Sequence, residues 1–339
     1  ELEDGGGWAN GGTAYRVADY GSVVAQALGD RVAMWTTLNE PWCSAYLGYA
    51  SGVHAPGRTD PQAALLAVHH LLLGHGLATR ALRENLPAGA QISLTLNPVS
   101  PRPATDSAAD HDAVRRIDGI ANRIFLDPVF RGCYPADVLA DTAHLTDWSF
   151  VRDGDLGIIA APIDSLGVNY YQPALLAAYD PAVPDDRGGG PADATWVGCE
   201  SVQFLPRPEL RHTAMNWAIE PSALYELLMR LHRDYPEAPI DVTENGAAYA
   251  DEIAGGAVHD TDRTDYLRGH IQAVHRAIED GADVRGYFAW SLMDNYEWAF
   301  GYSKRFGIVH VDFETQLRTP KGSAHWYREV IARNAVEAR

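Results

Sequence analysis

Cysteine is scarce in this 339-residue chain: Cys43, Cys133 and Cys199 are the only three, and they lie far apart. An odd number cannot all pair within the chain, and no CxxC spacing occurs. That argues against a thiolate metal site and for a reducing compartment. Long apolar runs are missing too, since none approaches the roughly 20 residues needed to cross a bilayer. Positive charge is also short. The net charge is −18, which repels nucleic acid and anionic membrane, so neither is an expected partner. No GxGxxG or Walker-type loop follows any strand-like segment, which disfavours nucleotide binding. The expected location is the cytoplasm. The chain opens on Glu1 rather than methionine, so the lack of a leader does not exclude secretion.

What is present is a globular composition, 46% hydrophobic and 10% aromatic, sufficient for a large core. Five short apolar segments read as buried strands: 31–38, 90–96, 163–168, 240–243 and 284–290. Amphipathic helical stretches cover 13–28, 61–84, 108–130, 221–234, 261–279 and 320–336. Strands alternating with helices imply βα units and a parallel sheet. The strands look apolar throughout, so both faces are expected to be covered. An open doubly wound sheet and a (β/α)8 barrel both fit this pattern.

Polar and aromatic residues follow the strands: Glu40, Asn97, Asn169 with Tyr170 and Tyr171, Glu244 with Asn245, and Trp290. The C-terminal ends of strands are where a barrel builds its active site. The expected fold is therefore α/β, a TIM barrel with five strands instead of eight, forming one domain over 1–339. The segment 181–200, PAVPDDRGGGPADATWVGCE, has linker-like composition and reads as a loop over the barrel mouth.

Glu40 and Glu244 occupy equivalent positions, each ending an apolar strand beside an asparagine, in TTLNEP and VTENG. One strand-end glutamate is ordinarily solvated or ion-paired. Two of them, with tryptophans nearby, suit glycosidic bond cleavage, which needs an acid for the leaving oxygen and a second carboxylate. Trp290 and Trp298 flank the polar run SLMDNYE, and indole faces pack against the C–H faces of sugar rings. Trp35, inside a strand, reads as core. His69, His70 and His75 share a helix, but spacings of five and six do not place two imidazoles on one face, so packing roles are expected. No metal or other cofactor is called for.

TLNEPW and VTENG resemble the two signature motifs of glycoside hydrolase family 1, the β-glucosidase family of retaining enzymes. The similarity continues through CSAYLGYASGVHAPG, NRIFLDPVFRGCYP, LGVNYY, WSLMDNYEWAFGYSKRFGIVHVD and RTPKGSAHWY, in the family's order and over essentially the whole chain. The resemblance implies that Glu40 is the general acid/base and Glu244 the nucleophile. Once Glu244 is glycosylated its charge is gone, and Glu40 can ionise and activate water.

The resemblance also implies that Asn39 bonds the sugar 2-hydroxyl, Tyr171 holds the nucleophile's carboxylate, and Asn169 supports the acid/base side. Glu297 matches the carboxylate that accepts from the 4- and 6-hydroxyls, with Phe306 closing that subsite. A glutamate there repels a 6-phosphosugar, and Lys304 alone does not offset it. Glu40 in place of glutamine argues against thioglucosides. Expected partners are small β-glucosides or cello-oligosaccharides.

By the same resemblance the first three βα units are missing and about the last five are present. Unpaired strand edges then predict homo-oligomers. Two alternatives stay open: a weak or inactive fragment that binds sugar, or one that needs a complementing chain. Asn216, in AMNW, stands where the family usually has glycine and is expected to alter a loop.

Overall fold

The computed structural model describes residues 1–183 and 195–336, and the chain forms two compact units. The loop read over 181–200 falls largely on 184–194, outside the described residues.

The first unit comprises Glu1–Gly167, Ala174–Pro206 and Glu237–Pro239. It runs through α1 (Gly12–Leu28), β1 (Met34–Asn39), a π-helical stretch Cys43–Ala50, α2 (Pro61–Asn85), β2 (Gln91–Leu96) and β3 (Ser100–Pro103). Then come α3 (Ala108–Asp118), α4 (Ile124–Arg131), α5 (Ala136–Asp141), α6 (Asp155–Ile159), the start of β4 (Ser165–Asn169), β5 (Pro173–Ala178) and β6 (Val202–Leu205). The start of α2 is fixed locally. Asp60 caps it by accepting from the Gln62 and Ala63 amides at 3.0 and 3.1 Å, and Pro61 supplies the preset φ of a first helical residue. Leu65, Leu71 and Leu72 of α2 are buried, each worth about 1.5–3 kcal/mol against exposure. β1 and β2 pair in parallel from Met34 opposite Gln91. The Asp164 amide, just before β4, donates to the Ile92 carbonyl at 2.7 Å.

The second unit takes Val168–Pro173, Arg207–Pro236 and the chain from Ile240 onward. It holds the end of β4, α7 (Pro221–Asp234), β7 (Ile240–Asn245), α8 (Thr261–Glu279), β8 (Val284–Ala289), the hairpin of β9 (Val309–Val311) and β10 (Arg318–Pro320), and α9 (Gly322–Arg333). β7 and β8 pair in parallel, and the Tyr170 amide at the end of β4 donates to the Glu244 carbonyl at 2.9 Å. Ala247, Tyr266, Leu267 and Ile308 form a buried cluster.

All five strands and six helical stretches read from the sequence are present, with two corrections. The stretch 108–130 is not one helix: a π-helical turn, Gly119–Arg123, separates α3 from α4. Nor are all strands covered on both faces. β2 and β4 are buried almost throughout, whereas β1 and β8 contain no fully buried residue. Each of these two has a single strand neighbour among the described residues, so one flank lacks the packing that buries β2 and β4. Apolar sequence reports what a strand can bury, not what lies beside it. Trp35 is half-buried against Ala25, Leu82 and Ile92.

Candidate active site

β1 ends at Asn39, and the chain turns at once. Glu40 has φ +49°, a left-handed conformation uncommon for residues other than glycine. Its amide donates to the Thr95 carbonyl on β2 at 3.0 Å, and its carbonyl accepts from the Cys43 amide at 2.9 Å. Pro41 starts the helical turn, which folds Cys43 back over the carboxylate, the thiol donating to Glu40 Oε2 at 3.0 Å. Asn97 Nδ2, at the end of β2, reaches Cys43 Sγ at 3.6 Å. Asn39 is exposed and Glu40 half-buried. Trp42 packs on Trp196, ring centroids 5.0 Å apart. The role of Cys43 escaped the sequence reading, although a donor one helical turn after a glutamate is the available signal.

Glu244 stands near the end of β7, half-buried. The Tyr171 hydroxyl donates to its Oε2 at 2.6 Å, at the short end of the range for O–H···O bonds. The strand around it is secured from both sides. Asn245 Nδ2 donates to the Tyr170 carbonyl at 2.7 Å, and Asn245 Oδ1 accepts from the Tyr287 hydroxyl at 2.6 Å. Asn169, almost fully buried, accepts from the Thr243 hydroxyl at 2.7 Å. Tyr171 is held between rings, with Trp217 at 5.1 Å and Phe306 at 6.1 Å. Phe306 is buried. Trp217 was not singled out in the sequence; its neighbour Asn216 was. Asn216 has φ +62°, which explains the expected glycine there: the backbone needs the left-handed region, and asparagine is among the few other residues that visit it readily.

Trp290 follows β8, its amide donating to the Asn245 carbonyl at 2.9 Å, so it stands beside the end of β7. Beyond it the chain makes an excursion that carries Glu297, half-buried, and Trp298, 68% exposed. Lys304 donates to the Ala214 carbonyl at 2.6 Å and lies over the Phe300 ring. Asn39 and Glu40 thus belong to the first unit, and Asn169, Tyr171, Glu244, Trp290, Glu297, Trp298 and Phe306 to the second.

The histidines of α2 are absorbed in packing. His69 bridges the Tyr134 hydroxyl and the Asp155 carboxylate, both at 3.0 Å, and His70 Nδ1 lies 2.9 Å from the Trp8 carbonyl. His75 bonds the Thr37 hydroxyl at 2.6 Å, and full burial pulls its pKa down to about 4.

A family model described as glycosyl hydrolase family 1 matches residues 1–336. The bifunctional β-D-glucosidase/β-D-fucosidase of Bifidobacterium breve is 51% identical over 333 residues, which are 96% of this chain and 70% of that protein. The thermostable β-glucosidase B of Thermobispora bispora is 47% identical, over 99% of this chain and 66% of its own length. The crystal structure of the psychrophilic β-glucosidase of Micrococcus antarcticus superposes with a TM-score of 0.92 at 47% identity, covering 99% of this chain and 72% of that one.

Proposed function

The chain belongs to glycosyl hydrolase family 1, and from that premise we propose that it removes terminal non-reducing β-D-glucosyl residues with retention of configuration. It is a glycoside hydrolase of the β-glucosidase type. In the proposed mechanism Glu244 attacks the anomeric carbon while Glu40 protonates the leaving oxygen. Water activated by Glu40 then releases the sugar from Glu244. Asn39 bonds the 2-hydroxyl, Glu297 the outer hydroxyls, and Trp290 and Trp298 pack on the ring. Asn169 supports the acid/base side, and Phe306 closes the subsite of Glu297. The observation that carries the reading is the 2.6 Å bond from Tyr171 to Glu244, which aims a half-buried strand-end carboxylate.

The experiment is hydrolysis of an aryl β-glucoside by the purified chain, with Glu244→Ala as control and the anomer of the first product read by NMR. Turnover that survives the alanine change, or an α-anomer released first, sinks the mechanism.

The proposal extends to the scaffold. We read β1, β2, β4, β7 and β8 as strands of a (β/α)8 barrel, about the last five βα units of it, in one catalytic domain over 1–339. The chain spans 70% and 66% of the two relatives above, and β1 and β8 are incompletely covered. Self-association through such edges is part of the reading, and sedimentation measures it. The proposed substrates are small β-glucosides or cello-oligosaccharides, and the proposed location is the cytoplasm. A sugar-binding fragment without activity is not favoured.

A further inference from the structure

Asp294 is an aspartate in the middle of SLMDNYE whose side chain has no exposed surface. It accepts from Arg305 Nη1 at 2.6 Å, Lys321 Nζ at 2.9 Å, and the amides of Gly307 and Val311 at 3.0 and 3.3 Å. Burial opposes its charge, but Lys321 and Arg305 outweigh that and hold the carboxyl below the ordinary range.

Between Asp294 and Arg305 the chain runs outward and returns. Tyr296, Trp298, Phe300 and Tyr302 on this excursion are all at least half exposed. The excursion is compact within itself: the Glu297 amide donates to the Gly301 carbonyl at 2.7 Å, the Phe300 amide to the Glu297 carbonyl at 2.8 Å, and Tyr296 meets Tyr302 edge to face. Its base is closed by the Asp294–Arg305 ion pair.

That ion pair is tied to a deeper one. Lys321, one of only two lysines in the chain, also donates to Asp251 at 2.5 Å. Asp251 is held by both terminal nitrogens of Arg263, at 2.9 and 2.7 Å. Arg263 pairs in turn with Asp260 at 2.5 Å and donates to the Arg305 carbonyl at 2.7 Å. Three cations therefore face three aspartates, and all but Arg305 are essentially without solvent contact. Apolar replacements of buried ion networks are often as stable or more so, so stability alone does not account for this one. What such a network does supply is fixed geometry, because each charge is held by several directional bonds.

We propose that the Asp294–Arg305 pair, anchored through Lys321, positions the excursion so that Glu297 and Trp298 meet the outer hydroxyls of the sugar, and so sets selectivity for a hexose over its analogue lacking the hydroxymethyl group. Asp294 and Arg305 are positioning residues and do not touch substrate. This rests on the reading above that Glu297 contacts the sugar.

Arg305→Met is the variant of choice, because Lys321 still neutralises Asp294. Rates are measured on p-nitrophenyl β-D-glucoside and p-nitrophenyl β-D-xyloside, with Glu297→Gln and Arg305→Lys in parallel. Calorimetric binding of a glucose-configured iminosugar and its analogue without the hydroxymethyl group supplies the same comparison independently of turnover. Arg305→Met is expected to lower the glucoside's kcat/KM about tenfold, mainly through KM, and the xyloside's less than threefold. Iminosugar selectivity should narrow in step, and Arg305→Lys should recover at least half of it. Equal losses on both sugars, or no loss on either, overturn the positioning role. If Glu297→Gln leaves selectivity unchanged, the reading of Glu297 fails instead. Selectivity that changes in Glu297→Gln but not in Arg305→Met sinks the positioning claim alone.

Discussion

Replacing Tyr171 by phenylalanine removes one atom from the site and leaves its packing in place. The ring remains between Trp217 and Phe306, so the fold should hold. What goes is the 2.6 Å hydrogen bond to Glu244 Oε2. A hydrogen bond to a charged acceptor is worth about 1.5–3 kcal/mol. Two effects of the loss oppose each other. The bond draws charge from the carboxylate, so its absence makes Glu244 intrinsically more nucleophilic. The bond also fixes the direction of attack, and small misplacements of a reacting group cost about 100-fold. In the second step the same hydroxyl stabilises the carboxylate as its charge returns. Orientation and departure both favour tyrosine, and they outweigh the gain in nucleophilicity. The expected loss in kcat/KM on an aryl β-glucoside is about 10- to 100-fold, at roughly 1.4 kcal/mol per decade. The melting temperature should change by no more than a few degrees. A variant within twofold of the parent refutes the role given to Tyr171, and so does a rate loss matched by general destabilisation.

Cys43→Ala removes the thiol donor from Glu40, a net contribution of about 1 kcal/mol. An alkyl β-glucoside, which needs its leaving oxygen protonated, should lose about fivefold in rate, whereas a dinitrophenyl glucoside should be nearly unaffected; equal losses on both contradict an effect through the acid. His75 and His270 are fully buried, and burial lowers both to about 4. A histidine kept neutral in the fold costs nothing above its unfolded value near 6.5, and the cost grows as pH falls from there through about 4. Each should therefore remove roughly 3 kcal/mol across that window, and His270→Gln should flatten the fall of the urea midpoint between pH 6.5 and 4.5. An unchanged slope in that variant rules out the linkage. Gly246→Ala drives a Cβ into the Trp290 carbonyl; the variant should lose both activity and stability, and a fully active Gly246→Ala would show that the end of β7 does not pack on Trp290 as described.

The order of the five parallel strands and of the longer helices was legible because those strand segments are short and apolar, and some helices carry a start signal, such as Asp60-Pro61 before α2 or Pro221 opening α7. The short strands β3, β5, β6, β9 and β10 were not, since three to six residues such as SPRP or PALLAA carry no strand pattern of their own. The strand-end glutamates were legible for the same reason: charge at the limit of an apolar run is a sharp contrast. The π-helical turns were not, since Gly119–Arg123 keeps a helical apolar pattern and differs only in which carbonyl each amide meets. The exposure of β8, with Phe288 54% exposed, depends on what lies beside a strand, which its own residues do not encode. The ionic network around Lys321 was invisible too, because Asp251, Asp260, Arg263 and Asp294 look like surface residues until the fold buries them together.

The central claim is that Glu244 becomes covalently glycosylated. Incubation with a 2-deoxy-2-fluoro-β-glucosyl fluoride, whose 2-fluorine slows both steps while the fluoride leaving group keeps the first one accessible, followed by mass spectrometry of the protein and its peptides, reads this directly. The account predicts one added fluoroglucosyl group per chain, carried by the peptide containing Glu244 and absent from Glu244→Gln. A label on Glu40 or any other residue, or turnover without any trapped adduct, contradicts it.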